Sequence, residues 1–302
     1  MQPTTSRNIM KSVLIIGGCG YIGSALYAYL RLHNIKVDTV DTEWYGNYSN
    51  KKNVIKNYGT LSKKFLSKYD VIILLAGFSS VRLCINHPKQ AFRNDVQNFI
   101  SLLHKLTTQK FIYASSSTVY GNTRQMHVTE DYDRYSPSNY YDLNKKMIDY
   151  YATLSNVEYY GLRFGTVCGY SPQLRVDLMI NMMYHAAYQT KEIPIYNPEI
   201  NRPILGLNDL CKAMLVIIKG KDKRGIYNLA SFNATVAEIS DQVAKAVGNA
   251  KVTLKNAKSL YNFSVSTEKF ESEYDFAFSE TVRTIVNSLK RNYLDAHIGV
   301  RE

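Results

Sequence analysis

Tyr141 and Lys145 are the residues whose types and spacing most directly suggest chemistry in this 302-residue chain. They stand in YDLNK, four apart, and positions i and i+4 share one face of a helix. Ile148 continues their stripe, whereas Leu143, Met147, Tyr151 and Leu154 form a separate apolar stripe on which the helix can pack. A free phenol ionises near ~10, and an adjacent ammonium together with a positively charged nicotinamide favours the phenolate, which can act as a base near neutral pH. A second Y-x-x-x-K, Tyr48 and Lys52, has the same spacing. Tyr141 and Lys145 stand apart because they follow KFIYASSSTVYG (Lys110–Gly121), a strand running into a hydroxyl-rich loop. A hydroxyl from that loop would share the hydrogen bond to a substrate oxygen. The chemistry so outlined is removal of a proton from an alcohol while its hydride leaves for a nicotinamide cofactor.

A second motif supplies a place for that cofactor. Gly17-Gly18-Cys19-Gly20-Tyr21-Ile22-Gly23 follows an apolar strand and opens a helix. Glycines at 17, 20 and 23 suit a tight turn, a close backbone approach to a pyrophosphate and close helix–sheet packing, with the helix N-terminus facing the phosphates. The next strand ends at Val40-Asp41, about twenty residues on, where a carboxylate would accept from the adenosine ribose hydroxyls. Thr42 and Glu43 follow, with no arginine for a 2′-phosphate, so the pattern favours NAD over NADP.

The elements that must position these groups alternate. Ser12–Ile16, Lys36–Val40, Val71–Leu75, Lys110–Ala114 and Val157–Leu162 are short and apolar, as buried parallel strands are. Helical patterns cover Tyr21–His33, Lys89–Leu106 and Tyr140–Leu154. Strand–helix repetition predicts an α/β fold, a Rossmann doubly wound parallel sheet. The second half is less regular, with helices expected at Asp177–Gln189, Asn208–Ile218, Thr235–Val247 and Ser279–Lys290 and strands at Ile193–Tyr196 and Gly225–Leu229. The expected organisation is a dinucleotide-binding domain of residues 1–165 and 204–232, with a smaller α/β substrate lobe of 166–203 and 233–302.

Composition bounds the partners. The chain is 45% hydrophobic and 21% charged, ordinary globular values that argue against disorder. No apolar run reaches the ~18–20 residues of a membrane span, and Met1–Lys11 reads as a polar tail without a signal core. The formal net charge of +12 favours anionic partners: nucleic acid, a membrane surface or a phosphorylated small molecule. No basic run stands out, so drift toward Lys and Asn together with a phosphorylated ligand is the expected reading, without nucleic acid or membrane partners. Cys19, Cys84, Cys168 and Cys211 form no C-x-x-C, and six scattered histidines form no ligand motif. A reducing, cytoplasmic compartment and no metal site are expected.

Taken together, LIIGGCGYIG, DVIILLAGFSSV from Asp70, ASSSTVYG ending at Gly121, YDLNK, LRFGTVCGYSP from Leu162 and GIYNLA from Gly225 give the chain a resemblance to the extended short-chain dehydrogenase/reductases. In particular it resembles the NAD-dependent nucleotide-sugar epimerase/dehydratase family, from about Lys11 to Leu289. The resemblance implies that Ser116, Tyr141 and Lys145 are catalytic. It implies cofactor contacts from Gly17, Gly20, Tyr21, Ile22, Gly23, Asp41, Asn57, Tyr58, Leu75, Ala76, Gly77 and Asn94, besides Tyr141 and Lys145. It also implies substrate contacts from Ser79, Ser116, Thr166, Arg175, Asn181 and Arg202, the last directed at a diphosphate. Three departures stand out. Asn57 and Tyr58 replace a usual Asp and apolar residue at the adenine, Thr166 replaces a typical Asn, and Ser117 and Thr118 replace the Asp-Glu pair of dehydratases. The implied activity is that of a nucleotide-sugar 4-epimerase or 4-dehydrogenase, working as a homodimer through Lys89–Leu106 and Tyr140–Leu154. The alternatives are a 4,6-dehydratase or 4-ketoreductase of the same family, or a non-catalytic, RNA-associated Rossmann-type binder.

Overall fold

The structure is a computed structural model that describes residues 11–48, 52–123, 125–134, 137–220, 223–248, 250–255 and 261–298. The polar tail expected before Lys11 lies outside them. The strands in chain order are β1 (Ser12–Ile16), β2 (Lys36–Asp41), β3 (Asn53–Ile55), β4 (Val71–Leu74), β5 (Lys110–Ser116), β6 (Tyr159–Phe164), β7 (Thr166–Cys168), β8 (Gln173–Leu174), β9 (Glu192–Tyr196), β10 (Asn201–Gly206), β11 (Gly225–Leu229), β12 (Phe232–Thr235), β13 (Lys251–Lys255) and β14 (His297–Ile298). Seven of them form a parallel sheet in the order β11-β6-β5-β4-β1-β2-β3. The chain moves outward from β1 to β2 and β3, then returns to place β4 on the other flank of β1. That reversal opens a crevice at the C-terminal ends of β1 and β4, where open α/β sheets bind their ligands.

The expected Rossmann-type sheet is therefore present. Val13–Ile16 and Val71–Leu74 are buried on both faces because helices cover both sides. Smaller pairings carry the rest: β12-β10-β7, β13-β9 and β14-β8. One apolar cluster runs without a break from Val13 and Ile15 in the main sheet to Ile193 and Val243 beyond it. Among the described residues no helix is long and apolar enough to cross a membrane.

The helix expected over Lys89–Leu106 is not continuous. Pro88–Phe92 and Asn98–Leu103 are α-helical, but Arg93–Gln97 between them is a π-turn. The widened turn buries Asp95, whose Oδ1 accepts from the Phe78 N–H at 3.0 Å and from Asn94 Nδ2 at 2.9 Å. The helix Tyr140–Thr153 starts where expected because the Asn139 side chain caps it, accepting from the Asp142 N–H at 3.0 Å.

Candidate active site

Consecutive strand ends build the site. Asp41 closes β2, Gly17 follows β1, Leu75–Gly77 follow β4, Ser116 closes β5 and Thr166 lies just past β6. From β2 to β5 is three strand spacings, about 14 Å, and along this rim two cavities meet. The first, of about 380 Å³, is lined by the glycine turn, Asp41, Trp44, Asn57, Leu75–Ser79 and Asn94. The second, of about 620 Å³, is lined by Ser115–Thr118, Tyr141, Lys145, Thr166, Arg175, Arg202 and Tyr261. Tyr21, Ile22, Leu75, Gly77, Ser79 and Arg175 line both.

Gly17 has φ +91°, donates to the Val40 carbonyl at 2.8 Å, and a Cβ on it would lie 2.5 Å from the Ala76 nitrogen. A Cβ on Gly23 would lie 2.0 Å from the Gly17 oxygen. A Cβ on Gly20 would meet only that oxygen, at 3.5 Å, so the protein leaves it room and the space it would fill belongs to the groove. Asp41 Oδ2 accepts from the Cys19 N–H at 3.0 Å and Oδ1 from the Glu43 N–H at 2.8 Å. Each carboxylate oxygen keeps capacity for a further donor such as a ribose hydroxyl. Burial pushes the Asp41 carboxyl above the usual range, against the lowering effect of those two amides. The N-terminus of the helix that opens at Tyr21, beside a half-buried carboxylate, fits NAD.

At the adenosine end Asn57 is exposed, and its Oδ1 already accepts from the Gly59 N–H at 2.9 Å and Asn98 Nδ2 at 3.3 Å. Its amide nitrogen, not its oxygen, is the group left to meet an adenine. Tyr58 is buried and donates to the Asn94 carbonyl.

In the second cavity, Lys145 Nζ donates to the Ala114 carbonyl at 2.7 Å and sits 5.8 Å from the Tyr141 ring centre. Ser116 Oγ is 2.9 Å from Thr118 Oγ1 and accepts from the Thr118 N–H at 3.2 Å. Arg175 makes a bidentate pair with Asp177, at 2.6 and 3.0 Å, and donates to the Ser79 carbonyl and hydroxyl at 3.2 and 3.3 Å. Arg202 is different. As a whole it is half-buried, but its Nε is sealed from solvent without a hydrogen-bond partner. Its guanidinium lies 5.7 Å from the Tyr261 ring centre, and burial pulls its pKa below the usual arginine range.

One expected contact lies elsewhere. Asn181 lines neither cavity. It is buried, accepts from the Gly169 N–H at 2.9 Å and donates to the Arg175 carbonyl at 2.9 Å and the Tyr21 hydroxyl at 3.1 Å. It supports the wall behind Tyr21 and Arg175. The Tyr21 hydroxyl likewise turns inward, donating to the Gly169 carbonyl at 2.8 Å, so only its ring and backbone border the cavities. Sequence reasoning missed Trp44, Phe78, Asp95 and Tyr261. The lone tryptophan, three residues past Asp41, was the one visible signal.

Comparison with known proteins agrees with this geometry. A model of the NAD dependent epimerase/dehydratase family matches residues 13–230. Protein CapI of Staphylococcus aureus is 30% identical over 233 residues, 68% of this chain and 69% of that protein. Among solved structures, UDP-glucose 4-epimerase of Thermotoga maritima with UDP-glucose has TM-score 0.82 at 19% identity, covering 93% of this chain and 99% of that one. The NAD-dependent NDP-hexosamine 5,6-dehydratase TunA also has TM-score 0.82, at 18% identity over 95% and 99% of the two chains. At those identities the structural likeness is one of fold. By its matched residues, the chain belongs to the NAD dependent epimerase/dehydratase family.

Proposed function

We propose that the chain is an NAD-dependent nucleotide-sugar 4-epimerase or 4-dehydrogenase. One observation carries this reading: Ser116, Tyr141 and Lys145 line one cavity, and among the described residues that line it the one carboxylate is Asp177, which is paired to Arg175. Tyr141 takes the proton of the sugar C4 hydroxyl, helped by the Lys145 ammonium on its own helix face. Ser116, steadied by Thr118, holds the same oxygen. When bound, NAD supplies the acceptor for the C4 hydride. Arg202 meets the diphosphate, and Met179, Met182, Pro194, Ile195 and Val236 give the base an apolar end. The strand set 166–203 and 233–302 acts as the substrate lobe against a cofactor domain of 1–165 and 204–232.

Elimination of water between C5 and C6 would call for an acid–base pair, and among the described lining residues the one carboxylate, Asp177, is tied to Arg175. Glu130 follows the hydroxyl loop, but its carboxylate accepts from the Asn228 N–H at 2.7 Å and does not line the cavity. The family names two outcomes, epimerase and dehydratase, and the lining supports the first.

The protein works as a homodimer in this reading, through the helices at Pro88–Leu103 and Tyr140–Thr153. Support comes from Leu143, Met147 and Leu154, which are exposed. Tyr151 instead contacts His104 of the same chain at 2.6 Å.

The test is to denature the purified protein, identify the released nucleotide, and follow UDP-, GDP- and dTDP-sugars with the enzyme in D₂O by NMR. A C4 epimer, or a 4-ketone with C6 still hydroxylated, is the expected product. A 6-deoxy-4-keto product overturns the reading.

A further inference from the structure

The turn after β2 reaches across the mouth of the dinucleotide groove. Glu43, Trp44, Tyr45 and Gly46 form a tight turn, with the Gly46 N–H donating to the Glu43 carbonyl at 2.8 Å. Glu43 and Gly46 both adopt positive φ, 55° and 85°. The base of the turn is tied down. The Glu43 N–H is held by Asp41, and the Glu43 carboxylate accepts from Asn47 at 3.0 Å and Asn53 at 3.1 Å. At its tip the Trp44 side chain is 58% exposed.

The Trp44 ring nonetheless has two aromatic neighbours. It stacks on Tyr45 at 5.4 Å and stands edge-on to Phe78, 5.3 Å away at 67°. Phe78 belongs to the loop after β4 and is fixed there, its N–H held by the buried Asp95. Because β1 lies between β2 and β4, the Trp44–Phe78 contact spans two strand spacings, about 10 Å. Both rings line the groove together with the glycine turn, which follows the intervening β1.

We infer that Trp44 is a latch that closes over the cofactor against Phe78 and sets the rate at which NAD(H) leaves. The inference rests on the proposed NAD site. A dinucleotide reaching from Asp41 to Lys145 passes under the pair, so it leaves when the rings part. The anchored base and the exposed Trp44 side chain let the indole swing while the Asp41 end stays in place. A slow-leaving cofactor suits a redox-neutral reaction, in which the hydride taken from the sugar is returned to it. A dehydrogenase, by contrast, must exchange cofactor at every turnover.

An edge-on aromatic pair of this kind corresponds to roughly a 2- to 10-fold effect on an opening rate. The experiment loads the full chain with NADH, mixes it with excess NAD⁺ in a stopped flow, and follows NADH emission as it dissociates. Trp44→Ala is expected to speed release by about 2- to 10-fold, with Trp44→Phe closer to the wild type. Phe78→Leu should speed release as well, and combining it with Trp44→Ala should add little, because both remove one contact. Melting curves confirm that each variant is folded. Unchanged release from Trp44→Ala that still binds NADH overturns the latch and leaves the cofactor site standing. A wild-type protein that binds no NADH overturns the site and the latch with it.

Discussion

Replacing Arg202 with Met should make the protein more stable and worse at binding a nucleotide diphosphate. The guanidinium has no acidic partner among the described residues, its Nε is buried without a hydrogen bond, and burial holds its pKa below the usual range. A buried polar group left unsatisfied costs ~1–3 kcal/mol. The Tyr261 ring, 5.7 Å away, offsets part of this, and such cation–π contacts are worth ~0.5–2 kcal/mol. Methionine keeps much of the side-chain volume, so the ligand-free variant should gain about 1 kcal/mol, a rise in Tm of about 2–4 °C. Binding should move the other way. A hydrogen bond from a charged donor is worth ~1.5–3 kcal/mol, so Kd for UDP, GDP or dTDP should rise about 10- to 150-fold. Calorimetry of the ligand-free proteins and titration with each nucleotide measure both sides. A Met variant that melts lower and binds the nucleotides as the wild type does would show that Arg202 is a structural cation held by Tyr261, and the diphosphate assignment would fall.

Three further outcomes are expected. Asp41→Asn should weaken NAD more than NADP, and a wild type preferring NADP, through Lys56 or Arg93 in the same groove, would refute the assignment. Because burial raises the Asp41 pKa, NAD affinity should fall on acidification at a higher pH than an ordinary carboxylate dictates, as the ionised acceptor is lost. The Asn variant should lack that dependence in a binding titration. Tyr141→Phe should lower turnover by at least ~10²–10⁴ while cofactor stays bound, and a variant with near-normal product by NMR would remove Tyr141 as the base. Leu143→Glu with Met147→Glu should halve the light-scattering mass at micromolar concentration, and a wild type that already has the mass of one chain would end the homodimer proposal.

The parts of this molecule that were legible in its sequence are those where local pattern and tertiary role coincide. Val13–Ile16 reads as a strand because sheet burial on both faces demands an unbroken apolar run. Gly17 and Gly23 are legible because backbone contacts leave no room for a Cβ there. The placement of Tyr141 and Lys145 on one cavity is legible because one helical turn sets their spacing. What failed depends on distant partners. The break at Arg93–Gln97 exists because Asp95 must reach the Phe78 N–H, a contact between residues 17 apart that helical periodicity does not encode. Asn181 looked like a pocket residue because it lies in the right stretch, yet Gly169, Arg175 and Tyr21 use its amide. The short strands β7, β8 and β12 have too few residues to show a period, and pairing with β10 or β14 defines them.

The hydroxyl loop after β5 carries Ser117 and Thr118 at the positions where the family resemblance implies the Asp-Glu pair of dehydratases. Ser116 caps the short helical turn Ser117–Tyr120, accepting from the Thr118 N–H, and the Thr118 hydroxyl lies 2.9 Å from the Ser116 oxygen. Where a dehydratase would carry an acid, Thr118 instead shares a hydrogen bond with the serine expected to hold the sugar oxygen. A carboxylate at that position would accept the serine proton and direct the Ser116 lone pairs, not its O–H, toward the cavity. A hydroxyl partner can donate or accept, so Ser116 keeps both options as the C4 oxygen passes from alcohol to ketone and back. That reversibility suits a reaction that both removes and restores the C4 proton. Elimination at C5 and C6 would require two titratable groups in a loop whose side chains at 117 and 118 do not titrate near neutral pH. The Ser116–Thr118 hydroxyl pair is therefore consistent with the proposed chemistry at C4.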